Sequence, residues 1–307
     1  MGKLGRYWDA AIQRKVWALA APMVLCNLSV PLVALVDTAV VGHLPHASQL
    51  GAVAVGSSWY VLLVGIMSFL RMGTTGFSAQ AQGRQDPQAL RLIWLQGLLL
   101  ALALACVLAL SAWPLAGVFM HLINPSQALS QATETFFGIR LLGLPAALAN
   151  YALIGWFLGT QNARVPLLMM LLTNLCNMVL SVVLVWHFDF GVAGAATAAV
   201  CGEWLGALLG LYLSAQKLKH LKSTWQWQRL KRWLNWRPLL SVNRDIFVRS
   251  LALQGVFLLI ALQGARLGES TVAANLLLLN GLVITAYALD GLAHAIEALA
   301  GQAIGAR

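Results

Sequence analysis

The chain has 307 residues, of which 60% are hydrophobic and 10% are charged, and its formal net charge is +10. A soluble domain carries about 25% charged residues, so this composition excludes a soluble enzyme, a disordered chain and a secreted disulfide-rich scaffold. The apolar residues form continuous runs rather than the alternating pattern of a β-barrel. We therefore expect an all-α, polytopic membrane protein.

Eight apolar segments follow one another along the chain. Each is long enough to cross a bilayer as a helix, which takes about 20 residues. The second and the eighth exceed one span and are expected to tilt or to extend into the interface. The predicted spans are, in chain order, 16–41, 50–81, 90–120, 133–159, 165–186, 192–215, 246–266 and 272–303.

The distribution of basic residues predicts the topology. With the N-terminus in the cytoplasm, the basic residues of the connecting loops fall on the inner side, except for Arg266. The outer loops carry histidines and Asp189 instead, which matches the preference of lysine and arginine for cytoplasmic loops. The positive charge is thereby explained without a nucleic-acid partner.

Residues 217–245 form the longest polar stretch and mix tryptophans with basic residues. That composition is typical of an amphipathic helix lying on the inner membrane surface, in contact with anionic lipid. We interpret this stretch as a cytoplasmic linker between a six-helix N-terminal lobe at 1–216 and the start of a C-terminal lobe at 246–307.

A faint internal repeat supports the two lobes. Shifting the sequence by 222 residues aligns Gln80 with Gln302 and Gly83 with Gly305. Both copies begin on the cytoplasmic side, so they are predicted to be parallel repeats related about the membrane normal, an arrangement found in transporters. The second copy holds two of six spans, and we expect the chain to be a fragment or a truncated product.

Asp37 is the first ionisable residue predicted to lie inside the membrane, where a charge costs about 2.5–3.5 kcal/mol on insertion scales. It lies in the outer half of the first span, after Pro22 and Pro31. Because proline removes a backbone hydrogen bond and kinks a helix, this span is expected to bend. We predict that Asp37 takes up and releases a proton as the span changes shape. The alternative is a structural carboxylate paired with an arginine or with hydroxyl groups.

The fifth span carries several polar residues. Asn177 and Ser181 are four apart and share a helix face. They are candidates to hydrogen-bond a carboxyl group or to give oxygen ligands to a small cation, and otherwise to join helices as polar residues do in membranes. Asn27 and Asn150 are predicted to line a cavity.

Further charges lie in the fourth, sixth and eighth spans. Arg140 and Glu203 have opposite signs and are candidates for an ion pair. Asp290, His294 and Glu297 are spaced i, i+4 and i+7, which places them on one helix face. We prefer structural pairing for these three, with a proton-coupling or gating role as the alternative, and we expect no metal site.

No hydrolase elbow, phosphate loop or dinucleotide-binding fingerprint is present. The chain is therefore predicted not to be an enzyme and not to be driven by ATP. It is expected to need no cofactor, and an ion gradient has to supply the energy.

Four segments carry a resemblance to the multidrug and toxic compound extrusion (MATE) transporters, and they are most similar to the DNA-damage-inducible protein F branch of that family. They cover the first, second, fourth and eighth spans. The segments are PMVLCNLSVPLVALVDTAVVGHL, FLRMGTTGFSAQAQGR, IRLLGLPAALANYALIGWFLGTQNA and AYALDGLAHAIEALAGQAIGAR.

The resemblance implies twelve helices in two six-helix lobes, alternating access, and export of organic, often cationic, compounds in exchange for H⁺ or Na⁺. By position, Asp37 matches the family's coupling carboxylate, Pro22 its kink proline and Asn177 an asparagine of the same ion network. Two positions depart from the family pattern, since an aspartate is replaced by Ser181 and a threonine by Ala199, although Thr197 is nearby. One carboxylate with neutral partners suits a proton better than Na⁺.

The predicted function is a secondary active antiporter that exports cationic amphiphilic compounds in exchange for protons. Its partners would be a small organic substrate and membrane lipid, and we expect a monomer in the inner (plasma) membrane of a bacterium. One alternative is a lipid-linked glycan flippase, which needs a basic cavity for pyrophosphate. The other is an inert truncated fragment.

Overall fold

The computed structural model describes residues 10–42, 47–123, 126–221, 227–232, 235–267 and 269–307. Regular structure in these residues is helical throughout, which confirms the predicted all-α class. The helices are α1 Ala10–Gly42, α2 Ala47–Ile66, α3 Phe69–Gly83, α4 Pro87–Ile123, α5 Gln127–Leu141, α6 Leu144–Gly159, α7 Arg164–Val182, α8 Gly191–His220, α9 Trp227–Lys231, α10 Arg237–Leu267 and α11 Glu269–Gly305; α7 continues as a π-helical turn at Val183–His187.

The helices follow the predicted spans. Among the described residues, five helical segments are long and apolar enough to cross a membrane, and the bent pair α5–α6 makes a sixth. These six correspond to the first six predicted spans, while α10 and α11 lie at the predicted seventh and eighth.

The second and fourth spans are broken, which the sequence reading did not anticipate. The second is interrupted by a turn at Met67 and Ser68, where the Met67 amide donates to the Val64 carbonyl at 3.0 Å. The fourth bends by 46° between α5 and α6. Pro145 explains this second break, because a proline near the start of a helix disfavours a continuous helix before it.

The buried core forms where several helices meet. Trp156 of α6 is fully buried between Met23 of α1 and Ala298 of α11 in one apolar cluster. Its indole nitrogen donates to the Leu90 carbonyl at 3.0 Å, which ties α6 to α4. Large apolar side chains such as Leu110, 81% exposed, cover the outer surface, as expected of helices that face lipid.

Helices α3 and α11 cross at their C-terminal ends without room for side chains. A Cβ atom at Gly83 would collide with the carbonyl oxygen of Gln302, and one at Gly305 would collide with the carbonyl oxygen of Gln80. These are the four residues that the 222-residue shift aligns, and the glycine of each copy contacts the glutamine of the other copy. Small residues permit such close approach of membrane helices.

Helices α8 and α10 flank the polar stretch of the sequence. Helix α8 continues to His220 and α10 begins at Arg237, so both helices extend into the predicted linker at 217–245. Residues 222–226 and 233–234 of the proposed amphipathic segment lie outside the described residues.

Candidate functional site

A cavity of about 560 Å³ lies between α1, α2, α5, α7 and α8. It occupies the half of the bundle nearest the α1–α2, α4–α5 and α7–α8 connections, which is the predicted outer side. Most of its wall is apolar. The polar lining residues are Asp37, Thr38, Ser57, Tyr60, Arg140, Asn174 and Asn177.

Asp37 reaches the cavity from α1 and is held by a neutral group. The Ser181 hydroxyl on α7 donates to Asp37 Oδ1 at 3.0 Å, and Ser181 itself is fully buried. Asn177, one turn earlier on α7, lines the same cavity, and its Oδ1 has no hydrogen-bond partner. Within the described residues no basic group forms an ion pair with Asp37. The carboxyl group is therefore partnered, accessible from the cavity and not locked to a cation.

A buried ion pair lies deeper in the wall. Arg140 Nη2 on α5 contacts Glu203 Oε1 on α8 at 2.8 Å. The Tyr60 hydroxyl on α2 donates to both Glu203 oxygens, at 3.2 and 3.1 Å. The Arg140 guanidinium lies 3.7 Å above the Tyr60 ring, a cation–π arrangement. These contacts confirm the predicted Arg140–Glu203 pair and add Tyr60, which the sequence reading did not single out.

The break in the fourth span makes room for this pair. A Cβ atom at Gly143, in the turn between α5 and α6, would collide with Glu203 Oε2. Asn150 of α6 donates to the Glu203 backbone carbonyl at 2.9 Å, which fixes α8 beside α6. A glycine two residues before a proline in an apolar span is the sequence signal that marks this place.

Two predicted cavity residues lie elsewhere. Neither Asn27 nor Asn150 is among the residues that line the cavity, and each joins two helices by donating to a backbone carbonyl. Asn27 donates to Tyr287 at 3.0 Å, between α1 and α11, and Asn150 donates to Glu203. Pro22 lies within α1, which runs as one helix from Ala10 to Gly42.

One of the two positions that depart from the family pattern, Ala199 in the sixth span, lies in the cavity wall. Ala199 lines the cavity and offers no side-chain oxygen. The nearby Thr197 is not among the residues that line the cavity, and its Oγ1 donates to the Ala193 carbonyl of its own helix at 2.7 Å.

The eighth-span acids and histidine differ in their exposure. Asp290 is exposed, His294 is buried and Glu297 is partly buried. No group of three histidine, cysteine, aspartate or glutamate side chains in the described part of the chain is placed to hold a metal ion.

Residues 22–183 match the MatE family. The chain is 44% identical over 301 residues to DNA damage-inducible protein F of Escherichia coli (strain K12), an alignment that covers 96% of this chain and 64% of that protein. It is 26% identical over 302 residues to multidrug resistance protein PmpM of Pseudomonas aeruginosa, covering 95% and 62%. A crystal structure of MATE in the bent conformation matches with a TM-score of 0.88 at 19% identity, covering 96% and 66%.

This chain thus spans about two thirds of the length of these relatives. The family match covers more than half of the chain, and the helical fold agrees with the solved MATE fold. Proteins of this family are transporters and not enzymes. The chain is an integral membrane protein that belongs to the MatE family, as its sequence motifs predict.

Proposed function

We propose that this protein is a secondary active efflux antiporter that exports cationic amphiphilic compounds in exchange for protons by alternating access. Its relatives include a multidrug resistance protein, which supports drug export as the activity. The observation that carries the proposal is the position of Asp37, a carboxyl group on the wall of a largely apolar cavity with a hydroxyl as its hydrogen-bond donor.

Protonation of Asp37 couples the entry of a proton to the export of a substrate cation in this mechanism. The charged carboxylate attracts a cation into the cavity, because desolvating a cation costs less beside an anion than beside apolar groups. A proton arriving from the outside removes that charge and releases the cation. Return to the inward state carries the proton to the cytoplasm, where it leaves and a new substrate enters.

A proton suits the site better than Na⁺. A bare Na⁺ needs several oxygen ligands to replace its hydration shell. Near Asp37 the side chains of Ser181 and Asn177 supply one oxygen each, while Ala199 supplies none. A proton needs only the carboxylate.

The charges of the cavity favour an exporter of cations over a lipid-linked glycan flippase. A flippase would need unpaired basic groups to bind pyrophosphate. Arg140 is the one arginine or lysine among the lining residues, and Glu203 neutralises it at 2.8 Å. The remaining charge is the carboxylate of Asp37.

We further propose the orientation and organisation that the sequence predicts. The N-terminus is cytoplasmic, the cavity opens to the outside, and the α3–α11 crossing closes the cytoplasmic side. Residues 1–216 form the first lobe and the start of a second lobe lies beyond the linker. The protein acts as a monomer in the bacterial inner membrane, in contact with lipid.

The test uses inverted membrane vesicles, in which export becomes uptake. Vesicles carrying the parent protein and made acid inside are expected to accumulate ethidium, a fluorescent amphiphilic cation. Asp37→Asn removes the titratable group, so its uptake is expected to fall to the level of vesicles without the protein. Glu134→Gln is the matched control, because Glu134 is an exposed acid whose carboxylate accepts from Ser130 at 3.0 Å.

A Na⁺ gradient imposed without a pH gradient is expected to drive no uptake. Undiminished, pH-driven uptake by Asp37→Asn would remove the coupling role of this residue. Failure of the parent protein to accumulate the dye under any gradient would overturn export itself.

A further inference from the structure

We propose that Glu203 is a positioning residue that holds Arg140 away from Asp37, so that Asp37 stays free to exchange a proton for a cation. The inference rests on the proposed function and concerns the same cavity. It assigns a role to the buried ion pair, which the exchange cycle itself does not use.

Without Glu203, the Arg140 guanidinium would compete with a proton and with a substrate cation for the Asp37 carboxylate. Arg140 and Asp37 line one cavity, and opposite charges in a poorly hydrated site attract more strongly than in water. A guanidinium that reached Asp37 would satisfy the carboxylate permanently. Neither a proton nor a substrate cation would then bind there.

The geometry restrains the Arg140 side chain on several sides. Glu203 binds it at 2.8 Å, and the Tyr60 ring lies 3.7 Å from the guanidinium carbon. Tyr60 also donates to both oxygens of Glu203, and Gly143 leaves space for that carboxylate. The position of the Arg140 side chain therefore depends on Glu203.

Arg140 keeps a donor that could bind another acceptor. Arg140 is 8% exposed, and its Nη1 is buried without a hydrogen-bond partner. Removal of the Glu203 charge would also leave Nη2 without its carboxylate. The nearest acid on the cavity wall would then be Asp37.

The elements packed against α1 bring few other charges near Asp37. Tyr60 comes from α2, Glu203 from α8 and the exposed His187 from the π-helical turn, while α7 presents the neutral Asn177 and Ser181. Asp290, His294 and Glu297 of α11 lie toward the other end of α1, since Gly291 packs against Val24 and Tyr287 accepts from Asn27. Arg140, from α5, is the cation that shares the cavity with Asp37.

The test measures the reactivity of Asp37 directly. Dicyclohexylcarbodiimide modifies protonated carboxyl groups in apolar surroundings, and mass spectrometry of the peptides locates the modification. The purified parent protein is expected to be labelled at Asp37. In Glu203→Gln the released guanidinium stabilises the Asp37 carboxylate, so labelling at Asp37 is expected to slow about tenfold or more.

The double variant Arg140→Gln with Glu203→Gln separates this role from a structural one. It removes both charges, leaves Asp37 without a competing cation and is expected to restore the labelling rate. Asp245→Asn is the control, because it removes an acid from an exposed ion pair on α10, with Arg244 at 2.9 Å. Its labelling at Asp37 is expected to equal that of the parent.

A second variant keeps the test informative if Glu203→Gln does not fold, since breaking a buried pair by removing one partner is destabilising. Tyr60→Phe removes the hydrogen bonds to Glu203 but no charge, and a smaller decrease in labelling is expected. Unchanged labelling in either folded variant, or no recovery in the double variant, overturns the inference. Dye uptake by the parent vesicles tests the proposed function separately, because the labelling assay requires no transport.

Discussion

Asp37 and Arg140 face one cavity but have different kinds of partner. Asp37 accepts a hydrogen bond from the Ser181 hydroxyl at 3.0 Å and has the neutral Asn177 as a second hydrogen-bond partner, whereas Arg140 is bound by a carboxylate at 2.8 Å. A neutral donor stabilises a carboxylate less than a cation does. The charge of Arg140 is therefore suited to a fixed position. The charge of Asp37 is suited to the exchange of a proton for a cation.

We predict that the hydroxyl of Ser181 influences how readily Asp37 is protonated. Ser181→Ala removes a hydrogen bond to a charged group, which is worth about 1.5–3 kcal/mol, and so favours the protonated form of the carboxyl group. The pH profile of ethidium uptake is expected to shift to higher pH by about one unit or more. Ser58→Ala is the control, because that exposed hydroxyl donates to the Ala54 carbonyl of its own helix. An unshifted profile for Ser181→Ala would contradict the role of this contact.

The sequence predicts contacts at this scale only where spacing within one helix decides them. Asn177 and Ser181 are four residues apart, so their common face is predictable, and Asp37 stands out as an acid in an apolar span. Tyr60 and Glu203 are 143 residues apart. Their contact depends on how α2 and α8 are rotated and packed, which neither residue's neighbours in the sequence determine.

At the scale of helices, the two broken spans differ in how far the sequence predicts them. Pro145 marks the break between α5 and α6, where Gly143 leaves room for a carboxylate. The turn at Met67 and Ser68 has no proline beside it, and Gly65 is its nearest helix-weakening residue. Hydropathy records both spans as continuous because most residues directly at each break are apolar.

The crossing of α3 and α11 is a close contact between the N-terminal helices and α11, and it depends on glycine. Gly83→Ala would place a methyl group against the Gln302 carbonyl. Such overpacking typically costs about 1–3 kcal/mol, so the apparent unfolding temperature in detergent is expected to fall. Gly305→Ala, which meets the Gln80 carbonyl, is expected to behave alike.

Gly76→Ala is the control on the same helix, because its Cβ atom would meet nothing within 4 Å. Alanine is favoured over glycine in a helix by roughly 0.5–1 kcal/mol, so this variant is expected to be as stable as the parent or slightly more stable. Equal unfolding temperatures for Gly83→Ala and Gly76→Ala would mean that the two helices do not approach each other at Gly83.

At the scale of the whole molecule, the cavity and the α3–α11 crossing lie at opposite ends of the bundle. The cavity is bounded by helices that end at the α1–α2 and α7–α8 connections, whereas α3 and α11 meet at their C-terminal ends. We infer that Asp37 is reached from the end of the bundle at which the cavity lies. An exchange cycle requires this crossing to separate as the cavity closes.

In the proposed mechanism, one exchangeable carboxyl group determines the net charge that each transport cycle moves. A proton exchanged for a monovalent cation moves no net charge, so the pH gradient alone is the driving force. One pH unit supplies about 1.4 kcal/mol, which is equivalent to roughly tenfold accumulation. Ethidium uptake above the Asp37→Asn background is therefore expected to be independent of a membrane potential clamped with potassium and valinomycin.

When a dication enters the same vesicles in exchange for one proton, one net positive charge moves inward. An interior-positive potential of 100 mV opposes that charge by about 2.3 kcal/mol, so accumulation of a dication is expected to fall roughly fiftyfold at equilibrium. The Asp37→Asn vesicles again measure passive redistribution of each dye. If uptake of the monovalent dye also depends on the clamped potential, more than one proton moves per cycle, and a second titratable group has to act beside Asp37.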